Sequence, residues 1–235
     1  MSAGRDKQVI TVSKNGPYLV SGEVPISEQV IVADAEGTAI EWREGKKYQY
    51  KEKCGLCRCG QSAHKPFCDG THLRINFDGT ETADSELSPN EIKEIDGPTL
   101  KLSDAEILCA SARFCHRAGG IWNLVPHSFN DEARKNAIEE SCDCPSGRLI
   151  IYDKKTERPL EPEMERSIGL IEDSQLECSG PIWVRGRILI LSANGKTYQV
   201  RNRVTLCRCG RSTNKPFCDS SHFPEHRYEE VISHK

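Results

Sequence analysis

Residues 57–72 read CRCGQSAHKPFCDGTH, and residues 207–222 read CRCGRSTNKPFCDSSH. Three cysteines and a histidine recur at one spacing: Cys57, Cys59, Cys68 and His72, then Cys207, Cys209, Cys218 and His222. The repeat reaches upstream, since 47–72 and 197–222 share 14 of 26 positions without a gap, at an offset of 150 residues. GPYLVSGEV from Gly16 is likewise answered by GPIWVRGRI from Gly180. A chain that carries one loop twice is built from one small unit used twice. The upstream stretches predict short strands broken by turns, among them SANGK (192–196), whose Asn194-Gly195 pair favours a hairpin.

Twelve cysteines in 235 residues are many for a chain with no apolar run of eighteen and an amino terminus, MSAGRDKQVITV, that lacks an apolar leader. The expectation is a soluble, cytoplasmic protein whose clustered cysteines serve metal or redox chemistry rather than disulfides. Hydrophobic residues make up 37% and aromatics 6%, so each module should have a thin core that a metal or cofactor helps to complete. A net charge of −3 argues against a general nucleic-acid binder. Lys plus Arg against Asp plus Glu runs 10 to 9 over residues 1–72, 12 to 22 over 73–178 and 10 to 4 over 179–235. An acidic middle beside a basic end can dock modules or a partner, or can simply be solvated surface.

Between the repeats, 78–98 is polar, acidic and turn-rich, and predicts a linker. Ser103-Asp104-Ala105-Glu106 has the pattern of a helix capping box, 130–141 predicts a helix and 148–153 a strand. The expected organisation is α+β. A β-rich module spans 1–77, a linker 78–98, a small α+β module 99–158, a second linker 159–178 and a second β-rich module 179–235.

Three thiolates and one imidazole satisfy one zinc or one 2Fe–2S cluster, so ligand count leaves both open. The Cys-x-Cys step is tighter than the spacing of zinc knuckles. It suits a pair on one iron, with the later Cys and His on the other. CRCGQSAHKPFCDGTH also resembles the signature of the CDGSH iron–sulfur family: C-x-C, Ser or Thr three residues on, then P-x-C-D-G-x-H. That resemblance implies a 2Fe–2S cluster held by Cys57, Cys59, Cys68 and His72, and another held by Cys207, Cys209, Cys218 and His222. Single-motif members form homodimers, so a tandem chain implies an intramolecular pseudo-dimer. The second copy departs from the signature at Ser220, where the family has Gly; a positive φ there would cost on the order of a kcal/mol.

The repeat also sorts the neighbours. His64 aligns with Asn214 and is expected not to be a ligand, while Cys54 aligns with Val204 and is expected to be a small buried apolar residue. Ser62 and Ser212 either donate to cluster sulfurs or are exposed loop hydroxyls. Asp69 and Asp219 are expected to cap the turn that carries the histidine.

In the middle segment, Cys109, Ala112 and Cys115 precede Cys144-Pro145. Bacterial ferredoxins use C-x2-C-x2-C with a distal C-P. Residues 98–155 are similar to divergent single-cluster bacterial ferredoxins whose missing middle cysteine goes with 3Fe–4S. The resemblance implies such a cluster on Cys109, Cys115 and Cys144. Cys142, or less readily His116, would supply a fourth ligand for 4Fe–4S; alternatively Cys109 and Cys115 are packing residues. Cys178 is expected to be structural, and Trp42, Trp122 and Trp183 to pack in a core or interface.

No Gly-rich phosphate loop, nucleophile elbow or HExxH is present, so neither catalysis nor a small-molecule substrate is expected. The expected function is a multi-cluster carrier of electrons to or from a protein redox partner, proton-coupled at the His-ligated clusters. The alternatives are storage or transfer of clusters to an apo-acceptor, redox sensing, and a zinc-binding scaffold.

Overall fold

The computed structural model describes residues 8–223. The amino-terminal elements are β1 (Val9–Val12), β2 (Tyr18–Ser21), β3 (Ile26–Ala33), β4 (Ala39–Tyr48), β5 (Lys53–Leu56) and the single turn α1 (Thr71–Arg74). The middle holds β6 (Lys93–Asp96), β7 (Leu100–Asp104), α2 (Ile121–Leu124), α3 (Asp131–Asp143) and β8 (Leu149–Asp153). The chain then runs through β9 (Ser167–Asp173), β10 (Cys178–Arg185), β11 (Leu189–Leu191) and β12 (Arg203–Leu206).

Two sheets carry the repeats, in the orders β11-β1-β2-β5 and β12-β10-β9-β3-β4. Each is completed by the other copy. β1 pairs in parallel with β11 (Val9↔Leu189), and β3 pairs in parallel with β9 (Ile26↔Ile168). Within each copy the strand leading into the Cys-rich loop pairs antiparallel, β5 with β2 and β12 with β10. The pseudo-dimer is therefore built by strand exchange. Its core is common to both copies: Ile10, Val12, Tyr18, Val20 and Leu56 pack with Ile182, Val184, Ile190, Val204 and Leu206, all buried. At roughly 1.5–3 kcal/mol per fully buried apolar side chain, neither copy could bury its inner face alone.

The middle segment has its own antiparallel sheet, β6-β7-β8, and a separate core of Leu100, Leu102, Ile121, Val125, Leu149 and Ile151. Helix α3 starts where its sequence demands, with the Asn130 side chain accepting from the amides of Glu132 and Ala133. The hairpin turn at Asn194-Gly195 and strand β8 also form as expected.

Two expectations are corrected. Ser103 and Asp104 do not cap a helix; they end β7, because Asp104 is drawn into a bidentate pair with Arg148 at 2.6 and 2.9 Å. The stretch 159–178, expected as a linker, carries β9 at the centre of the larger sheet, where its apolar run is covered. Of the first linker, 93–96 joins the middle sheet, and the amides of Thr82 and Ala83 donate to the Lys215 carbonyl. Among the described residues no helix is long and apolar enough to cross a membrane.

Candidate metal centres

Each Cys-rich loop leaves its last strand, turns at a left-handed glycine and returns through Lys-Pro-Phe-Cys. The backbone of Cys57 donates to Pro66 and that of Cys207 to Pro216, each at 2.8 Å. Ser62 and Ser212 brace the turn. Their hydroxyls donate to the Phe67 and Phe217 carbonyls (2.6 and 2.7 Å) and accept from the amides of His64 and Asn214. Both hydroxyls are thus committed to the loop backbone, and both serines are buried, so neither of the two roles expected for them holds.

Asp69 accepts from the amides of Ala63 and Thr71, and Asp219 from those of Thr213 and Ser221. These bonds hold Asp69 well below the usual carboxylate range. For Asp219 they outweigh burial and lower it to about 2. Each carboxylate ties the first half of its loop to the turn bearing the histidine, as expected.

The donors come together in pairs. Cys57 and Cys59 Sγ lie 3.8 Å apart, and Cys207 and Cys209 Sγ 3.6 Å. Cys68 Sγ is 3.3 Å from His72 Nδ1, and Cys218 Sγ is 3.4 Å from His222 Nδ1. Two thiolates about 2.3 Å from one tetrahedral metal sit roughly 3.8 Å apart, so each pair is spaced for one metal. Among the described residues no three His, Cys, Asp or Glu side chains form a single-ion site. Two irons, each with two protein donors, match the paired arrangement.

The second loop is the more enclosed. Burial, with Arg208 and Arg211 nearby, lowers His222 to about 4, which keeps its imidazole neutral at pH 7. The hydrogen bond within the thiol pair pushes Cys207 up and Cys209 down.

The loops meet at the pseudo-two-fold axis. A Cβ on Gly60 would lie 2.6 Å from the Cys209 carbonyl oxygen, and one on Gly210 2.8 Å from that of Cys59. Both glycines have positive φ, so this approach admits no side chain. A cavity of about 320 Å³ between the loops is lined by Cys57, Cys209 and His222, and also by Cys178. Tyr18 crosses from the first copy to donate to the Cys207 and Pro216 carbonyls (2.7 and 3.0 Å).

The arginine inside each Cys-x-Cys is a residue the sequence reading missed, although its recurrence in both copies marks it. Arg58 is buried against the Tyr18 and Phe77 rings and donates to the carbonyls of Ser13 and Gly79. Arg208 donates to the Gly180 and Ile171 carbonyls and pairs with Glu172 at 2.6 Å. Both pin the step between adjacent thiols.

In the middle segment, Cys109, Cys115, Cys144 and His116 line one cavity of about 220 Å³. Burial pushes the Cys115 thiol up, with Cys144 and Cys109 adding to the rise. Arg148, also missed, lines the same cavity. Burial opposes its charge, but Asp104 and the Cys109 thiol outweigh that and raise its pKa. Cys142 is absent from this lining, and its Sγ faces the Leu160 carbonyl at 3.4 Å.

His64 is exposed and lies 3.7 Å from Asp69, outside the donor group. Cys54 is half-buried at the core's edge. Trp42 packs against Phe114 and Trp183, with ring centroids 4.6 and 4.9 Å away, and so joins both copies to the middle segment.

Residues 15–73 and 179–223 match the family described as iron-binding zinc finger, CDGSH type. Residues 95–154 match the family described as divergent 4Fe-4S mono-cluster. No curated protein matches the chain. By these matches it is an iron–sulfur protein in which two CDGSH-type segments flank one divergent 4Fe-4S segment.

Proposed function

We propose that the chain is a three-cluster electron carrier without catalysis of its own, taking electrons from one protein partner and passing them to another. The observation that supports this best is the paired donor spacing in two loops that abut, with a third thiol-lined cavity beside them. Cys57, Cys59, Cys68 and His72 would hold one 2Fe–2S cluster, with each close pair serving one metal, and Cys207, Cys209, Cys218 and His222 would hold the other. Cys109, Cys115 and Cys144 would hold a third cluster, of the 3Fe–4S type with these three ligands alone and of the 4Fe–4S type with His116 as the fourth. Such clusters supply one-electron oxidation and reduction when bound.

The chain's own residues do the rest. Neutral imidazoles leave the two outer sites less negative than four thiolates would, which raises their potentials above all-Cys ligation. The imidazole nitrogen not used for ligation can exchange a proton, coupling charge to pH. Arg58 and Arg208 fix the thiol pairs, and Arg148 sets a positive charge beside the three middle thiols.

His72→Cys and His222→Cys test the assignment. Each should lower the potential of its own cluster and flatten that cluster's pH dependence; unchanged potentials in both would refute it. A second reading, donation of a cluster to an apo-acceptor, is favoured by the open surface beside His72, where Leu73 is 73% exposed. Rapid transfer to an apo-ferredoxin would support donation, and retention with reversible reduction would support the carrier.

A further inference from the structure

Ser220 holds a backbone conformation that its residue type disfavours, with φ +73°, where its counterpart Gly70 has φ +83°. A serine there costs on the order of a kcal/mol and survives only where the surroundings hold it. They do so through a hydrogen-bonded chain. The Ser111 hydroxyl donates to Ser220 Oγ at 2.7 Å, and Ser220 Oγ donates to the Cys109 carbonyl at 2.8 Å. Cys109 is the first of the three middle thiols, and Ser220 stands two residues after Cys218. With consecutive Cα atoms about 3.8 Å apart, the Cys109 carbonyl lies within roughly 12 Å of the Cys218 backbone.

The rest of that loop is fastened to the same place. The Asn214 side chain donates to the Ile107 carbonyl, and Phe223 lines the middle cavity. Arg113, between Cys109 and Cys115, reaches across to Asp173 of β9 in a buried pair at 2.6 Å. Among the described residues nothing comparable covers the outer face of the first loop, where a Cβ on Gly70 would meet nothing within 4 Å and Leu73, the counterpart of Phe223, is exposed.

We propose that Ser220 is a positioning residue that fixes the middle cluster's segment against the second CDGSH loop, so that the middle cluster couples directly to the second CDGSH cluster and not to the first. The inference rests on the three-cluster reading. Once a low-potential one-electron donor has reduced the middle site, one electron leaves it as the second site takes one up, and no bond forms or breaks. The difference between the two potentials sets the direction. The contacts give a linear order: the middle site, the second site, then the first across the loop contact at Gly60 and Gly210.

Ser220→Gly tests this in the full chain, since glycine fits the backbone and removes only the hydroxyl and its carbon. Clusters are first counted by iron content and by their separate paramagnetic signals. In the reduced wild-type protein, the middle and second CDGSH signals should be broadened by mutual spin coupling. Ser220→Gly should weaken that coupling at least two-fold with all clusters retained. In the iron-free protein, amide hydrogen exchange at 109–113 should quicken several-fold. Gly70→Ser strains a turn that no neighbour braces, and should leave the coupling between the middle and second signals and the exchange at 109–113 unchanged even if it weakens the first CDGSH cluster. Unaltered coupling in Ser220→Gly, or coupling of the middle signal to the first CDGSH cluster instead, would overturn the proposal alone. Absence of the middle cluster from wild-type protein would overturn the three-cluster reading with it.

Discussion

The first and second Cys-rich loops share their turn geometry, their donor spacing and their internal bracing, yet they face different surroundings. Around 57–72 the outer surface is open: Leu73 and Ile75 are 73% and 46% exposed, and Lys53 on the entering strand is exposed. Around 207–222 the counterparts of Leu73 and Lys53 are closed over. Phe223 is 7% exposed, and Arg203, the counterpart of Lys53, is 1% exposed. Arg203 donates to the carbonyls of Cys144 (2.6 Å), Ser141 (2.8 Å) and Leu149 (3.1 Å) and pairs with Glu161 at 2.9 Å. One folded unit has thus been used in two ways: the second copy is a seat for the middle segment, while among the described residues none covers the outer face of the first. The difference in surroundings turns on three of the pairs at which the copies diverge: Lys53 and Arg203, Gly70 and Ser220, Leu73 and Phe223.

Substitutions at those pairs can break the comparison. Arg203→Ala strips three carbonyls of a buried donor and leaves the half-buried Glu161 with the Asn202 amide alone. It should destabilise the protein by about 3 kcal/mol in denaturant unfolding. Lys53→Ala should stay within about 0.5 kcal/mol. Equal losses at the two positions would mean that the second loop is no more a docking seat than the first. Phe223→Ala should cost about 3 kcal/mol, against under about 0.5 kcal/mol for Leu73→Ala.

A smaller effect separates Cys54 from its ligand neighbours. Burial pushes its thiol up to about 11, so at pH 8 almost none of it is thiolate. Its alkylation should run about a hundred-fold more slowly than that of a free thiol and quicken as pH rises toward 11. Fast labelling at pH 8, read by peptide mass, would contradict its place at the core's edge.

Much of this was legible in the sequence because it is local. A repeated loop with fixed spacing declares its donors, Asn130 before an acidic first turn declares α3, and Asn194-Gly195 declares a hairpin. Strand exchange is different in kind. Nothing in VITV or ISEQVIVA says whether its partner lies in the same copy or the other, because alternation specifies a face and not a neighbour. The apolar run in 159–178 was hidden among charged residues and showed its role only when both neighbours of β9 were in place. The box-like Ser103-Asp104-Ala105-Glu106 misled because a distant arginine, Arg148, claims the aspartate more strongly than a helix terminus would. Ser220 was visible as a departure from the signature, but its reason lies 111 residues away at Cys109.

The most direct test of the central claim is a count of iron, acid-labile sulfide and zinc, with electron paramagnetic resonance of anaerobically purified protein before and after dithionite. The account predicts a brown protein with about seven or eight irons, two 2Fe–2S signals on reduction and a distinct third signal from the middle site. About four irons would remove the middle cluster and the asymmetry built on it, and zinc without iron would contradict the account entirely.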